Sequence, residues 1–306
     1  MDPKAPMRKL KKIVLSIRSE GLSSYFCRLY NLGQYRFYFR KAVQFYKLRR
    51  DTAQLYGHGL KLSERKAGIS EELILYGVHE PLATKLYIQL LRPGDVIFDV
   101  GCNIGYYLLV ADYALKGNCH IYAFEPDPEL AELAAMNSRM LNSSIRVEQV
   151  AICDRNGKAS FFASKVSNWG TLLFHPELKL VTKNIEVLTT NIDDYAIKNS
   201  VIPTVIRMDI EGGEASAIAG AKKTLQHVRL LFIELHCAFL TNGQIKRILE
   251  TLGISGFVNC IWFNRYYDWP WSRPKPYTTG SIDEFRSFVL NRSYPAVTLF
   301  ACKEAG

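Results

Sequence analysis

The chain has 306 residues, 48% of them hydrophobic, which is enough for one large α/β domain with extensions or for two modest domains. No apolar run approaches the roughly twenty residues that cross a bilayer and no leader pattern opens the chain, so a cytoplasmic protein without a transmembrane span is expected. Its seven cysteines, an odd number with no C-x-x-C pair, argue against a disulfide framework or a zinc knuckle, and its charge of +10 is concentrated in residues 1–50, which hold thirteen of the 39 Lys and Arg but two of the 29 acids.

Residues 1–60 are expected to form a basic, aromatic-rich helical extension, and residues 61–306 the main domain. Leu10, Ile13, Val14 and Ile17 follow helical spacing among Arg8, Lys9, Lys11 and Lys12, and aromatic residues from Tyr25 to Tyr46 then alternate with cations. Such a stretch can dock on the body as a cap, lie on an anionic membrane surface from the cytoplasmic side, or bind nucleic acid by phosphate contact and stacking. The near-neutral remainder offers no wide basic groove, so a nucleic-acid partner is not expected. Nothing in the sequence fixes an oligomeric state.

Residues 51–92 read as a bridge with one or two helices. From residue 96 short apolar runs alternate with helical segments: strand 96–101, helix 104–115, strand 120–124, helix 128–141, strand 145–152. This alternation predicts βαβ units, hence an α/β fold with a mostly parallel sheet and helices on both faces. Asp154-Arg-Asn-Gly157 is a turn signal. The next extended stretches, 158–163 and 185–190, flank a polar, irregular segment, 164–184. Strand 204–210, helix 215–225, strand 230–235, helix 243–252 and strand 256–263 follow. Residues 266–279, rich in Trp, Tyr and Pro, read as a surface loop able to stack on a sugar ring. Ser281-Ile-Asp-Glu284 is a capping box that opens a helix, and 297–302 is a last strand.

Chemistry concentrates at the strand ends. Asp99-Val-Gly-Cys-Asn-Ile-Gly105 joins a strand to a helix, and its glycines allow a ligand to approach the backbone. A dinucleotide loop is G-x-G-x-x-G and cradles a pyrophosphate, whereas this one is G-x-x-x-G with an acid two residues before it. Asp99 would repel a pyrophosphate and suits the ammonium and sulfonium of S-adenosylmethionine. Glu125, about twenty residues on at the end of the next strand, can accept both hydroxyls of a ribose. Ala151, Ile152 and Asp154 could form an adenine wall, although Asp154 serves the turn with Gly157 equally well. Further on, Asp209 and Glu211 share one side of a strand end, as do Glu234 and His236. A neutral His236 would be the best-placed general base. Asp209, Glu211, Glu234 and His236 could hold a divalent metal, but carboxylates at a strand edge more often orient a helix or a substrate, and no metal is assigned.

These pieces, in order and spacing from about Gly77 to Cys302, resemble the FkbM family of methyltransferases. The resemblance rests on His79-Glu-Pro81, Pro93-Gly-Asp95, Asp99–Gly105, Phe124-Glu-Pro126, Ala151-Ile-Cys-Asp154 with Gly157, Asp193-Asp194, Met208-Asp-Ile-Glu-Gly212 with Glu214, and Ile233-Glu-Leu-His236. It implies a class I, Rossmann-like fold with a seven-stranded sheet, S-adenosylmethionine as cofactor, and methyl transfer usually to oxygen. It implies Asp99, Gly101, Asn103, Gly105 and Glu125 as cofactor contacts, Glu80 near the methionine end, and Asp209, Glu211 and His236 near the acceptor. Cys102 replaces a usual Ala and Arg207 a usual Lys, the latter not an equivalent exchange where the side chain makes contacts. The expected activity is O-methylation of a saccharide or glycolipid hydroxyl or carboxylate, the partner being a small-molecule or glycan acceptor. An RNA methyltransferase using residues 1–50, or a non-catalytic scaffold, are the alternatives.

Overall fold

The computed structural model describes residues 51–65, 68–164, 170–172, 181–265, 268, 277–291 and 294–303. The basic segment 1–50 and most of the aromatic loop lie outside them. The first described element is a hairpin, not a helix: β1 (Thr52–Leu55) pairs antiparallel with β2 (His58–Lys61) across Tyr56-Gly57. Both turn residues have positive φ, 49° and 86°, the two-residue turn whose twist matches that of the strands. The expected domain boundary at residue 60 thus falls inside the hairpin, whose Leu55 and Leu60 join the main apolar core. Asn137 also ties the hairpin down, accepting from Lys61 N at 2.8 Å and donating to Lys61 O at 3.0 Å.

Two helices follow, α1 (Ile69–Tyr76) and α2 (Pro81–Leu90), and then the alternating elements begin. They are β3 (Asp95–Val100), α3 (Tyr106–Leu115), β4 (Cys119–Phe124), α4 (Pro128–Ser138) and β5 (Ser144–Glu148). After an insertion come α5 (Ile192–Asn199), β9 (Val205–Met208), α6 (Glu214–Ala219), β10 (Leu230–Leu235), α7 (Asn242–Ile254), β11 (Asn259–Asn264), β12 (Thr278–Ser281), α8 (Ile282–Leu290) and β13 (Val297–Cys302). The main sheet runs β12-β11-β13-β10-β9-β3-β4-β5. From β10 to β5 neighbouring strands are parallel; β13 is antiparallel to β10, and β11 and β12 continue antiparallel. Among the described residues this sheet has eight strands where seven were expected, because Thr278–Ser281, which begins in what read as a loop, adds an edge strand.

Side-chain alternation along the strands separates two cores. Ile97 and Phe232 face the layer of β1, β2 and α1 to α4, while Phe98, Val100, Leu231 and Ile233 face α5 to α8. Each fully buried side chain of this size contributes about 1.5–3 kcal/mol of transfer free energy, so both faces are covered and the strands read as near-continuous apolar runs.

The expected single strand 145–152 breaks after Glu148. Val150 N donates to Glu148 O at 3.0 Å, which turns the chain, and β6 (Ala151–Ile152) leaves for a second sheet. There it pairs with β8 (Val181–Thr190), which pairs with β7 (Gly157–Ser164). Among the described residues no helix is long and apolar enough to cross a membrane.

Candidate active site

β3 sits between β4 on one side and β9 on the other, so the chain's direction of winding reverses there, and the crevice at such a point is where open α/β sheets bind ligands. A cleft opens at these strand ends, lined by the β3–α3 turn, the end of β4, the start of the second sheet and the end of β9.

One edge of the cleft is the turn between β3 and α3. Gly101 has φ 81°, and a Cβ there would lie 2.0 Å from the carbonyl oxygen of Asp209, so only glycine lets the ends of β3 and β9 meet. Gly101 N and Cys102 N donate to Phe124 O at 2.9 and 3.1 Å. Asn103, left-handed at φ 52°, donates its N–H to Glu125 Oε2 at 2.9 Å, and Asp127 N donates to Glu125 Oε1 at 3.0 Å. Asp127 is itself gripped by both terminal nitrogens of Arg65, at 2.7 and 2.9 Å. Burial pushes the Glu125 carboxyl up to about 7. Its carboxylate has roughly four acceptor positions, of which these two amides take two. Leu130, Val150, Ala151, Ile152, Phe161 and Leu172 form an apolar slot beside it.

The other edge is a knot of buried charge. Arg207 Nη1 donates to Asp99 Oδ1 at 3.2 Å and to Gly101 O at 2.8 Å, and Nη2 to Asp209 Oδ2 at 2.8 Å. The guanidinium lies 4.5 Å from the centre of the Tyr107 ring, a cation–π contact in a desolvated setting. His236 Nδ1 meets Glu214 Oε1 at 2.7 Å, while its Nε2 lies 3.2 Å from Glu211, 3.5 Å from Glu234 and 3.8 Å from Asp209. Burial opposes a charge on the ring, but Glu211 and Glu214 outweigh it and hold the imidazole protonated well above its ordinary range. Burial pushes Glu234 up to about 8 against the pull of Arg265. Arg265 bridges Glu234 at 3.1 Å and Glu80 at 2.7 Å. One ligand atom each of Asp209, Glu234 and His236 fall within 4.8 Å of one another, a trio that could hold a metal ion.

The sequence-predicted residues divide accordingly. Gly101, Asn103, Glu125, Ala151, Ile152, Asp209 and Glu211 line the cleft together. Asp99 stands behind the wall, 1% exposed, because Arg207 draws it inward. Glu80 also stands behind it: its carboxylate is held by the Tyr107 hydroxyl at 2.7 Å, His79 at 3.2 Å and Arg265. Gly105 is the left-handed N-cap of α3, and Asp154 is an exposed turn residue whose N–H donates to Ser216 Oγ. His236 lies beneath Asp209 and Glu211, its ring held between Glu214 and Glu211, where it is placed to orient them. Sequence reasoning missed Tyr107, Thr171 and Arg265. Asp268, inside the expected surface loop, is buried and accepts from Leu82 N and Ala83 N at the start of α2.

The family model described as the methyltransferase FkbM domain matches residues 99–269, which span the turn, Glu125, both acidic strand ends and Asp268. The chain belongs to the FkbM methyltransferase family. Similar curated proteins include the 2-O-methyltransferase NoeI of Sinorhizobium fredii, 29% identical over 63% of this chain and 83% of that one. The hexuronic acid methyltransferase AglP of Haloferax volcanii is 27% identical over 54% of this chain and 66% of its own. The 31-O-demethyl-FK506 methyltransferase FkbM of Streptomyces tacrolimicus is 25% identical over 54% and 74%. FkbM membership makes the chain a methyltransferase and implies S-adenosylmethionine as its donor. The cleft fits that group: the Gly101 turn leaves the backbone bare, Glu125 retains acceptor capacity for a diol, and the slot from Leu130 to Leu172 is apolar.

Proposed function

We propose that this FkbM-family protein methylates a saccharide hydroxyl, with Asp209 taking the hydroxyl proton. The observation that carries this reading is the pairing of Asp209 and Glu211 on the cleft wall directly beside the Gly101 turn, backed by the buried Glu214 and Glu234. S-adenosylmethionine, when bound, supplies an already activated methyl group, so the protein's task is mainly to position the acceptor. Glu125 would hold the ribose hydroxyls and the apolar slot the adenine. Asp209 would accept the acceptor's O–H proton as the new O–CH₃ bond forms and the C–S bond breaks, its electron pair remaining on sulfur.

Arg207, at 2.8 Å, and His236, at 3.8 Å, aim the Asp209 carboxylate. A carboxylate acceptor is disfavoured on electrostatic grounds. At an effective dielectric of 20, two like charges 4 Å apart cost about 4 kcal/mol, and the acceptor would meet Asp209 and Glu211 together. NoeI, a 2-O-methyltransferase by name, supports the hydroxyl reading, and AglP, named for a hexuronic acid, is the contrasting relative. The test is transfer of labelled methyl from S-adenosylmethionine to neutral methyl glycosides and to uronic acids, with Asp209→Asn as the blank. Label on neutral glycosides that survives mild alkali, as an ether does, is expected. Label found only on uronic acids and lost in alkali, or no transfer to any sugar, overturns the reading.

A further inference from the structure

The insertion between β5 and α5 contributes more than a wall. Phe161 on β7 and residues 170–172 line the cleft on the side of the apolar slot, and Gly170 packs so closely that a Cβ would come within 2.5 Å of the Phe161 ring. Phe162 and Thr171 form an antiparallel bridge, with Phe162 N donating to Thr171 O at 2.9 Å. Thr171 is 4% exposed, and its hydroxyl crosses to the opposite edge, donating to the backbone carbonyl of Glu211 at 2.8 Å.

Glu211 is a non-glycine residue in the left-handed region, φ 50°, a conformation that costs of order 1–3 kcal/mol and persists where surrounding structure imposes it. The peptide that Thr171 grips sets where the Glu211 carboxylate lies, 3.2 Å from His236 Nε2 on the cleft wall.

We propose that Thr171 is a positioning residue: its hydroxyl ties the cofactor side of the cleft to the Glu211 peptide and so fixes the acidic edge against which the acceptor is placed. The described segment 170–172 and the β9–α6 loop are thereby joined. Its kinetic part rests on the hydroxyl-methylating reading above, but its structural part does not, and the two can fail separately.

The experiment compares Thr171→Val, which deletes the donor at nearly constant shape, with Thr171→Ser, which keeps it. Three quantities are read: S-adenosylhomocysteine affinity by calorimetry, the His236 ring ¹³C–¹H resonance in the S-adenosylhomocysteine-loaded protein, and kcat and KM on the neutral methyl glycoside that passes the activity test. In the valine variant the His236 resonance is expected to shift and kcat to fall about tenfold, the effect of one hydrogen bond, while S-adenosylhomocysteine affinity stays within twofold. The serine variant is expected to match the wild type in all three. If the valine variant does not fold, Thr171→Ala deletes the same donor without adding bulk. A donor-less variant with wild-type resonance and turnover overturns the proposal. So does a loss confined to S-adenosylhomocysteine affinity, or a serine variant as impaired as the valine one. If no glycoside is methylated, the resonance still decides the structural part.

Discussion

The two edges of the cleft are built differently. The cofactor edge holds its central carboxylate with backbone amides: Glu125 accepts from the N–H groups of Asn103, in the β3–α3 turn, and of Asp127, two residues on. The acceptor edge is assembled from side chains far apart in sequence: Arg207 reaches Asp99, Arg265 joins Glu80 to Glu234, and His236 gathers Glu211 and Glu214. The first edge can lose one contact and bind more weakly. The second consists of buried charges that pair with one another, so removing one leaves another unpaired in a low dielectric.

The comparison is tested most severely by Asp209→Asn. Removing the proton acceptor should lower kcat by about a thousandfold, within the usual range for general-base loss, while S-adenosylhomocysteine affinity measured by calorimetry stays within threefold. An equal loss in both would mean the edges are not separable. Next, Arg207→Met strands Asp99, a loss of about 3–5 kcal/mol. A fall of about 10 °C in the thermal unfolding midpoint is expected, and a fall below 3 °C would show the knot to be loose.

Glu125→Gln should weaken S-adenosylhomocysteine binding about tenfold and leave saturated kcat unchanged. The pH dependence carries the same information. With the carboxyl at about 7, the ionised, diol-accepting form predominates above that pH and is lost below it. Wild-type affinity should therefore weaken several-fold from pH 8 to pH 6, and the glutamine variant should titrate flat over that range. The smallest effect is expected from a chelator. Asp209, Glu234 and His236 each already face a counter-charge within 3.2 Å, so dialysis against EDTA should change the rate less than twofold. A tenfold loss restored by magnesium would reassign that trio to a metal.

Local pattern made most of the fold legible. The strands ending at Val100, Phe124 and Leu235 are apolar runs flanked by turn residues; Glu125 is legible as an acid at a strand end about twenty residues after the glycine turn, and Asp209 as one shortly before Gly212-Gly213. The hairpin at Thr52–Lys61 went unread because its strands are only four residues each, although Tyr56-Gly57 was an available turn signal. Helix α5 was missed too, despite Asn191, whose side chain caps it by accepting from Asp194 N. β12 was hidden in an aromatic, proline-rich stretch. Arg265 and Thr171 carry no local signature at all: their importance lies in partners that only the folded chain brings near. His236 was legible beside its strand end, but its contacts with Glu211 and Glu214 were not, since spacing shows neither distance nor burial.

The guanidinium of Arg207 has a consequence for how such a protein changes over time. It makes three contacts that no single substitution reproduces, with Asp99, Gly101 and Asp209. Losing the guanidinium or either carboxylate leaves the others short of a partner, so their effects will not add. Loss of the positive charge at 207 should therefore be tolerated only together with changes at Asp99 and Asp209, just as loss of the Arg65 charge across the cleft should require a change at Asp127.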